Sequence, residues 1–386
     1  WVRVRKSEPR KSGHRPQSAL ERRVKMTDRE YLARAFVLAN QGRYTTDPNP
    51  RVGCVLVKHG RVIGEGYHQL AGGPHAEAQA LNQVEGSAEG ATAYVTLEPC
   101  SYHGRTPSCA TALIEAGVVR VVAAAEDPHP RNRGAGFELL EAAGIEVVRA
   151  LDPDAAEALN PGHLKCHAHN RPYVRLKLAA TMDGLTALPN GESQWITSAA
   201  ARLDVQRLRA QSSAIVTGAN TVLDDDPELT VRDPGIDPRF SSLILSRARP
   251  VYVLDSNART TSEARVYANP QARQVCGVHA RSDHPQSMRI NTNPAGRIDL
   301  SEFFAKLAAE GVLEVLVESG AVLAGAVLEA GLVDELVLYM APKLMGVGRP
   351  LLQLPELDKM SDLKNFEITE HRRIGPDLKL VLKPRA

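Results

Sequence analysis

Hydrophobic periodicity divides the chain into two regions that each combine strands and helices. In the first region, two short apolar runs flank the turn His59-Gly60 and predict a strand hairpin. Helical and strand-like patterns then alternate up to about residue 150, and this order predicts a helix-sheet-helix sandwich. The predicted elements are a helix at 29–42 opened by a Thr27/Glu30 capping box, strands at 52–57 and 61–67, a helix after His75, a strand at 93–97, a helix from Cys109 to Gly117, a strand at 118–126, a helix at 136–144 and a strand at 145–150.

The second region follows residues 151–170, where prolines and polar turn residues predict a linker. Its clearest feature is residues 313–342, which show a strand, a glycine turn, a helix, a glycine stop and a strand. This is one crossover unit of a second sheet, so the fold class is α/β. Further predictions are strands at 172–184, 214–218 and 250–255, a helix at 203–211, and loops at 219–232 and along the polar stretch up to about residue 297.

Length and composition describe a globular chain. Its 386 residues with 43% apolar content predict two or three domains with sizeable cores. No apolar run is long enough for a membrane segment. Beyond Cys100 and Cys109, the remaining three cysteines show no paired spacing, which favours a reducing, cytoplasmic location over a disulfide framework.

Charge is unevenly distributed along the chain. The formal net charge is +2, but residues 1–25 carry nine Lys and Arg against two Glu, which leaves about −5 for residues 26–386. An acidic body argues against a nucleic-acid surface. The basic segment lacks an apolar core and is no secretory signal, so it is a targeting or binding arm or, as we favour, a disordered upstream or added segment. The folded protein is then expected to start at about Met26.

Residues 74–109 carry the strongest chemical signal. His75 offers an imidazole and Cys100 and Cys109 offer thiolates, a set that suits tetrahedral zinc and leaves its fourth position for water. Helix-prone runs after His75 and Cys109 put both at predicted helix N-termini, where the helix dipole favours a thiolate. Glu77 is too close to His75 along a helix to share its face, so we interpret it as the proton carrier. H-x-E followed by Pro-Cys and a second Cys is the zinc-deaminase signature.

Several alternatives are compatible with these residues. Cys54 as a fourth ligand would make the zinc site closed and structural. Three histidines and a cysteine within residues 163–169 suggest a second metal site, although surface histidines at a helix end are the favoured interpretation. A nucleic-acid deaminase favours a short C-x-x-C spacing, whereas eight residues separate Cys100 and Cys109 and only 4% of the chain is aromatic. A non-enzymatic zinc module is the other class.

Three segments resemble one known family. The segments TDPNPRVGCV at 46–55, EPCSYHGRTPSC at 98–109 and GESQWITS at 191–198 resemble the bifunctional deaminase-reductase of bacterial riboflavin biosynthesis. The resemblance runs from about Met26 over nearly the whole chain, and the HGRTP loop is absent from generic cytidine deaminases. Ser108 departs from the family, which more often has a second proline there. We expect the inserted segment 101–108 to supply substrate contacts.

The resemblance implies two activities on two folds. The resemblance implies that residues 26–150 form a cytidine-deaminase-like α/β/α sandwich, which uses zinc to deaminate 2,5-diamino-6-(5-phosphoribosylamino)pyrimidin-4-one. It also implies that Asn49 contacts the base of this substrate. After the linker, residues 171–386 are implied to form a dihydrofolate-reductase-like α/β domain that reduces the ribosyl group to ribityl with NADPH. The implied partner is thus this small pyrimidine ribosyl phosphate. The protein is also implied to form a homo-oligomer of two or more chains. Neither nucleic acid nor a membrane is expected as a partner.

The reductase contacts are carried over by position. The start of the helix after Glu318 is a ready phosphate site because its N–H groups are unpaired, although it lacks a GxGxxG fingerprint. Arg209 and Arg232 would suit a substrate phosphate, or would form surface salt bridges. The proton donor is left open among Lys177, Asp183 and Glu318. Implied NADPH contacts are Ala179, Trp195, Thr221, Asp225, Gly320, Ala321, Val322, Leu323, Ala324, Gly325 and Ala326; implied substrate contacts are Lys177, Ser193, Arg209, Leu229, Arg232 and Glu318.

Overall fold

The computed structural model describes residues 26–102 and 108–385. The basic segment 1–25 and most of the inserted segment, residues 103–107, lie outside the described residues, and so do the predictions made for them. In the described part, no helix combines the length and the apolarity needed to cross a membrane.

The amino-terminal half is built on a five-stranded sheet. Its elements are α1 (Asp28–Ala39), a 3-10 turn (Asn40–Gly42), β1 (Gly53–Lys58), β2 (Arg61–Tyr67), α2 (Ala76–Asn82), β3 (Thr92–Val95), α3 (Cys109–Glu115), β4 (Arg120–Ala123), α4 (Ala135–Ala142) and β5 (Glu146–Val148). The strand order is β2-β1-β3-β4-β5. Strand β1 pairs antiparallel with β2 and β3, whereas β3, β4 and β5 run parallel.

Alternation along β1 separates the two faces of this sheet. Cys54 and Leu56 pack with Ala76 of α2 and with residues of α3 and α4. Val55 and Val57 point the other way and pack with α1. Because successive side chains of a strand face opposite sides, one strand serves both cores. The predicted helix-sheet-helix sandwich is confirmed.

Two local features hold the starts of α1 and α2 in place. The predicted capping box is present, since the Thr27 hydroxyl accepts from the Glu30 N–H and the Glu30 carboxylate accepts from the Thr27 N–H. Helix α2 lies directly against β2, because a Cβ on Gly66 would lie 2.3 Å from the carbonyl oxygen of Ala76. Only glycine permits that approach. The start of α2 is therefore held against the sheet.

Residues 151–170, predicted as a linker, form two short helices, α5 (Pro153–Leu159) and α6 (Pro161–His169). Ala156 of α5 packs with Leu32 of α1. His163 is buried, and its Nε2 lies 2.8 Å from Oδ1 of Asp127. The interpretation of these histidines as surface residues is therefore wrong for His163. The segment packs as part of the folded body.

The carboxy-terminal half is built on a nine-stranded sheet. Its elements are β6 (Tyr173–Thr181), β7 (Leu185–Ala187), α7 (Ala199–Gln211), β8 (Ala214–Gly218), α8 (Ala219–Asp225), α9 (Ser241–Ser246), β9 (Val251–Leu254), a 3-10 turn (Arg265–Ala268), β10 (Ala272–Gly277), β11 (Ser287–Ile290), α10 (Leu300–Ala309), β12 (Glu314–Glu318), α11 (Ala321–Glu329), β13 (Glu335–Ala341), β14 (Arg349–Pro350), a 3-10 turn (Met360–Asp362), β15 (Phe366–Ile374) and β16 (Asp377–Pro384). The strand order is β11-β10-β9-β8-β12-β6-β13-β16-β15, and β7 pairs with β14 apart from it.

The first seven strands of that order are parallel, and β16 and β15 complete the sheet antiparallel. The predicted crossover unit β12-α11-β13 is confirmed. Two loop predictions are wrong, because residues 219–225 form α8 and the polar stretch contains β10 and β11. In β10, Gln274 is buried and its Nε2 donates to the carbonyl oxygen of Thr260 at 2.9 Å. A buried, hydrogen-bonded polar residue thus interrupts the apolar run that marks a strand.

Candidate active sites

The zinc-type cluster lies where α2 and α3 begin. His75 is the N-cap residue of α2, and Cys109 is the first residue of α3, whose N-cap Ser108 accepts from the Thr111 N–H. Cys100 reaches the cluster from the segment after β3. The predicted placement of two ligands at helix N-termini is confirmed, and the positive ends of both helix dipoles point at the cluster.

The three ligand atoms lie within 4.8 Å of one another. Nδ1 of His75 is 3.2 Å from Sγ of Cys109 and 3.6 Å from Sγ of Cys100. One imidazole and two thiols suit zinc and leave a fourth coordination position. Among the described residues, Cys54 is not part of this group: it is buried in the sheet core. The donor set is therefore that of an open site.

The electrostatics of the cluster favour a cation. A hydrogen bond between the two thiols lowers the pKa of Cys100 and raises the pKa of Cys109. Burial raises the pKa of Glu77, and the nearby Cys100 thiolate raises it further. Three acidic groups thus compete for too little positive charge, and a divalent ion would let both thiols ionise. Zinc fits these residues.

Glu77 lies in the first turn of α2 and is 3% exposed. It does not belong to the group of metal-type ligands in the described part of the chain. A buried carboxyl with a raised pKa exchanges protons nearer to neutral pH than a surface glutamate does. Its position supports the role of proton carrier.

Asn49 is oriented by a histidine that sequence reasoning missed. Its Nδ2 lies 3.1 Å from Nε2 of His68, and Nδ1 of His68 lies 3.1 Å from the carbonyl oxygen of Pro74. Because a carbonyl only accepts, Nδ1 of His68 donates and Nε2 accepts the Asn49 amide. His68 is buried and follows β2 with no spacing that relates it to the ligands, so no sequence signal marked it.

A second missed residue, Glu98, supports the segment that carries Cys100. Its carboxylate accepts backbone N–H groups of Asp127, Gly134 and Gly136 at 2.8–3.0 Å. These bonds tie the segment between β3 and Cys100 to the start of α4. A glutamate directly before Pro99 was the available signal, but its partners lie 29–38 residues further along the chain.

The second site is a cavity of about 1790 Å³ at the carboxyl ends of the parallel strands β6, β8, β9 and β12. Ligands of open α/β sheets bind at this edge. All the implied reductase contacts line it except Ala324 and Gly325. Ala324 is in the hydrophobic core, and Gly325 packs on the backbone of Gln353. The predicted contacts 320–326 form a contiguous segment, and part of any such helical segment faces the protein interior. Ala324 and Gly325 lie on that inner side of α11 and therefore do not line the cavity.

The start of α11 is open to a ligand. Gly320 is the N-cap residue without a side-chain cap, and its N–H donates to the Thr221 hydroxyl at 3.1 Å. The buried Ser319 hydroxyl has no hydrogen-bond partner among the described residues. A helix N-terminus next to an unpaired buried hydroxyl suits a phosphate group, so a dinucleotide cofactor fits this cavity.

The acidic and basic groups of the cavity divide into paired and available ones. Arg209 holds Glu318 with two bonds, Nε to Oε1 at 2.6 Å and Nη2 to Oε2 at 3.0 Å. Burial raises the pKa of Glu318, but the Arg209 charge outweighs it and the net pKa is lowered. Burial lowers the pKa of Lys177. Arg232, in contrast, lies at the rim, is more than half exposed and pairs with Glu228 through Nη1 alone among the described residues, so the rest of its guanidinium is available.

Asp183, one of the three candidate proton donors, does not line the cavity. It accepts from the Thr181 hydroxyl and from the backbone N–H groups of Met345 and Gly346. These bonds lower the pKa of Asp183 to about 2. Asp183 therefore holds a turn and is no donor candidate.

Comparison with known proteins identifies both halves. A model described as the cytidine and deoxycytidylate deaminase zinc-binding region matches residues 25–125, and one described as the RibD C-terminal domain matches residues 172–380. The riboflavin biosynthesis protein RibD of Escherichia coli is 49% identical over 92% of this chain and 99% of its own length. That of Haemophilus influenzae is 44% identical, over 92% and 97%. The chain belongs to the RibD family.

Solved structures agree with this assignment. A RibD of Acinetobacter baumannii is 39% identical with a TM-score of 0.84, over 93% of this chain and 99% of that one. A Thermotoga maritima diaminohydroxyphosphoribosylaminopyrimidine deaminase/5-amino-6-(5-phosphoribosylamino)uracil reductase is 29% identical with a TM-score of 0.80, over the same shares.

As a RibD family member, the chain is a bifunctional deaminase and reductase of riboflavin biosynthesis that acts on a small molecule with zinc and NADPH as cofactors. Its fold is a cytidine-deaminase-like sandwich followed by a dihydrofolate-reductase-like domain. The alternative of a non-enzymatic zinc module is thereby wrong.

Proposed function

We propose that the amino-terminal half deaminates 2,5-diamino-6-(5-phosphoribosylamino)pyrimidin-4-one and that the carboxy-terminal half reduces the ribosyl group of the product to ribityl. The observation that carries this proposal is the buried Glu77 beside an open cluster of His75, Cys100 and Cys109, in the same chain as a large cavity at the strand ends. The Thermotoga maritima relative is named for both reactions. We propose the boundaries 26–150 and 171–386 for the two domains.

In the deaminase half, His75, Cys100 and Cys109 would hold zinc, which supplies Lewis acidity toward water when bound. Glu77 takes the proton from the attacking water and delivers it to the exocyclic nitrogen as the carbon–nitrogen bond breaks and ammonia leaves. Asn49 presents its amide to the base, since His68 holds the Nδ2 side of that amide. Buried surroundings strengthen each of these contacts.

In the reductase half, NADPH supplies the hydride. The start of α11 with Thr221, together with Ala179, Trp195 and Asp225, would hold the cofactor. Ser193, Leu229 and Arg232 would contact the substrate, and the exposed guanidinium of Arg232 suits its phosphate. The cofactor-binding set from α11 is proposed as Gly320, Ala321, Val322, Leu323 and Ala326.

The reduction also needs one proton, and Lys177 is the best donor among the three candidates. Glu318 carries a lowered pKa beside Arg209, so it is ionised and cannot donate. Lys177 lines the cavity, and burial lowers its pKa toward the range in which an ammonium gives up a proton readily. Glu318 and Arg209 would then orient the substrate next to the Lys177 ammonium.

The test is to incubate zinc-loaded protein with the diaminopyrimidine phosphate, first without and then with NADPH, and to follow the product by mass spectrometry. We expect exchange of one amine for oxygen in the first stage and a gain of two hydrogens only when NADPH is added. Deamination without reduction would contradict the assignment of the second half and leave that of the first intact.

We further propose a cytoplasmic homo-oligomer of two or more chains. Exposed apolar side chains between β13 and β14, Leu344 at 78% and Val347 at 76% exposure, support a contact between copies. All five cysteines are unpaired, as suits a reducing compartment. Light scattering over a range of protein concentrations tests the assembly, and a constant monomer mass would contradict it. Fractionation of cells that produce the protein tests the location, and recovery outside the cytoplasmic fraction would contradict it.

A further inference from the structure

The loop that carries Asn49 is held on both sides by groups from outside the deaminase sandwich. On one side, Oδ1 of Asp47 accepts from the Ser213 hydroxyl at 2.5 Å, and Oδ2 pairs with Arg247. Ser213 directly precedes β8, and its oxygen also accepts the N–H of Glu314 at 3.0 Å. Asp47 is thus tied to the centre of the reductase sheet.

On the other side, Arg51 makes a denser set of bonds. Its Nη2 donates to Oε1 of Glu314 and its Nη1 to the carbonyl oxygen of Leu159, both at 2.6 Å. The Asn160 side chain pairs with the Arg51 backbone, accepting its N–H at 2.7 Å and donating to its carbonyl oxygen at 2.8 Å. The Arg51 and Glu314 side chains are only 11% and 7% exposed.

Glu314 is a fixed anchor for this loop. It begins β12, which lies between β6 and β8 in the sheet. Arg175 approaches its other oxygen at 3.4 Å and pairs in turn with Glu335. Two arginines and two glutamates therefore alternate from Arg51 to Glu335, with their charges balanced.

Buried ion pairs contribute little net stability, because desolvation of both charges offsets their attraction. Their effect is geometric, since a forked guanidinium accepts few arrangements. Here the geometry is imposed on residues 46–51, whose middle residue Asn49 also meets His68 beside the zinc-type cluster. The reductase half and α5 thus determine where this part of the deaminase site lies.

We propose that Arg51 and Asp47 are positioning residues for the deamination, through which the reductase half holds Asn49 in place for the base. This inference rests on the proposed function, in which Asn49 contacts the substrate. Deamination then depends on a contact that the deaminase sandwich alone does not contain.

The test uses the full chain carrying R51M, with deamination measured at varied concentrations of the diaminopyrimidine phosphate. We expect KM to rise by about tenfold or more while kcat changes little, because the loop no longer presents Asn49 in its bound position. Zinc content and the reductase KM for the deaminated product should stay at parental values. R51K keeps the charge but cannot hold both Glu314 and the Leu159 carbonyl, so it should recover only part of the affinity.

R239M is the matched control. Arg239 also bridges the halves, through Gln41 at 2.6 Å and Tyr67 at 3.4 Å, but none of its hydrogen bonds goes to residues 46–51. Its deaminase KM should stay parental. An equal rise in R239M and R51M would overturn the proposal, because any loss of contact between the halves would then suffice.

A second variant keeps the test decisive if R51M does not fold. D47N retains the shape of the side chain and removes the charge that Arg247 meets, so a smaller rise of KM in the same direction is expected. Parental KM in D47N and in any folded R51M would overturn the positioning role. Parental KM in N49A would instead overturn the contact of Asn49 with the base, and with it that part of the proposed function.

Discussion

The zinc-type centre and the reductase cavity assemble their residues in opposite ways. The three ligands and Glu77 come from residues 75–109 and sit at the starts of two neighbouring helices and the segment between them. The cavity collects residues from the ends of four strands spread between Lys177 and Glu318. A metal centre can be built from one motif, whereas a cavity at a sheet edge needs the whole sheet.

The two sites also differ in how their charges are balanced. In the cavity, the carboxylate of Glu318 is already matched by Arg209. In the zinc-type centre, two thiols and Glu77 face one histidine. Only the zinc-type centre therefore favours an added cation, and the following experiments exploit that difference.

Removal of zinc should produce the largest difference between the activities of the two sites. A chelator is expected to abolish deamination, because only the metal supplies the missing positive charge and the Lewis acidity. Reduction of deaminated substrate should continue, and restored zinc should restore the first activity. Loss of both activities, with circular dichroism unchanged, would contradict the separation.

E77Q should have the next largest effect. Without its proton carrier, deamination is expected to fall by about 10²–10⁴-fold, while bound zinc measured by mass spectrometry stays stoichiometric. The reductase rate serves as the internal control, and E85Q, which changes an exposed glutamate nearby, should act like the parent. Loss of zinc from E77Q would mean that Glu77 belongs to the ligand set.

K177M addresses the other site. Removal of the proposed donor should lower the reductase kcat by about 10²-fold and leave deamination unchanged. K359M, at an exposed position, is the control. Parental reduction by K177M would show that the proton comes from another source.

The pH profile sharpens this test. Lys177 donates only while protonated, and burial lowers its pKa. The reductase kcat should therefore fall as pH rises through a value below the ordinary lysine pKa of about 10.4, and K177M should lack this limb. A limb that persists in K177M would assign it to another group.

T27A should have the smallest effect, and on stability alone. Loss of the Thr27 hydroxyl is expected to cost about 1 kcal/mol, or about 2–4 °C in Tm, because the Glu30 N–H at the start of α1 loses its side-chain acceptor. Both activities should be retained at 25 °C. S361A, at an exposed residue, is the thermal control. A selective loss of deamination would show that α1 affects the site directly.

Local chemistry explains what could be predicted from residue order. The capping box, the hairpin around His59-Gly60, the sandwich and the crossover at β12-α11-β13 all follow from side-chain periodicity within short windows. The zinc ligands follow from residue types and spacing, because imidazole and thiolates at two helix starts have few other uses. In the reductase half, local pattern indicated only the helix start after Glu318, and resemblance supplied the other contacts. Resemblance could not distinguish the buried residues of α11, Ala324 and Gly325, from those that line the cavity.

Long-range contacts account for what residue order left undetermined. Strand β10 was missed because its polar Gln274 is buried through a hydrogen bond to Thr260, 14 residues away. The role of His68 depends on folding, which brings Asn49 and Pro74 to its two ring nitrogens. The pairing of Arg51 with Glu314 joins residues 263 positions apart. Periodicity and motifs describe neighbours along the chain, whereas these hydrogen bonds depend on which surfaces the packed sheets bring together, so only the tertiary structure decides them.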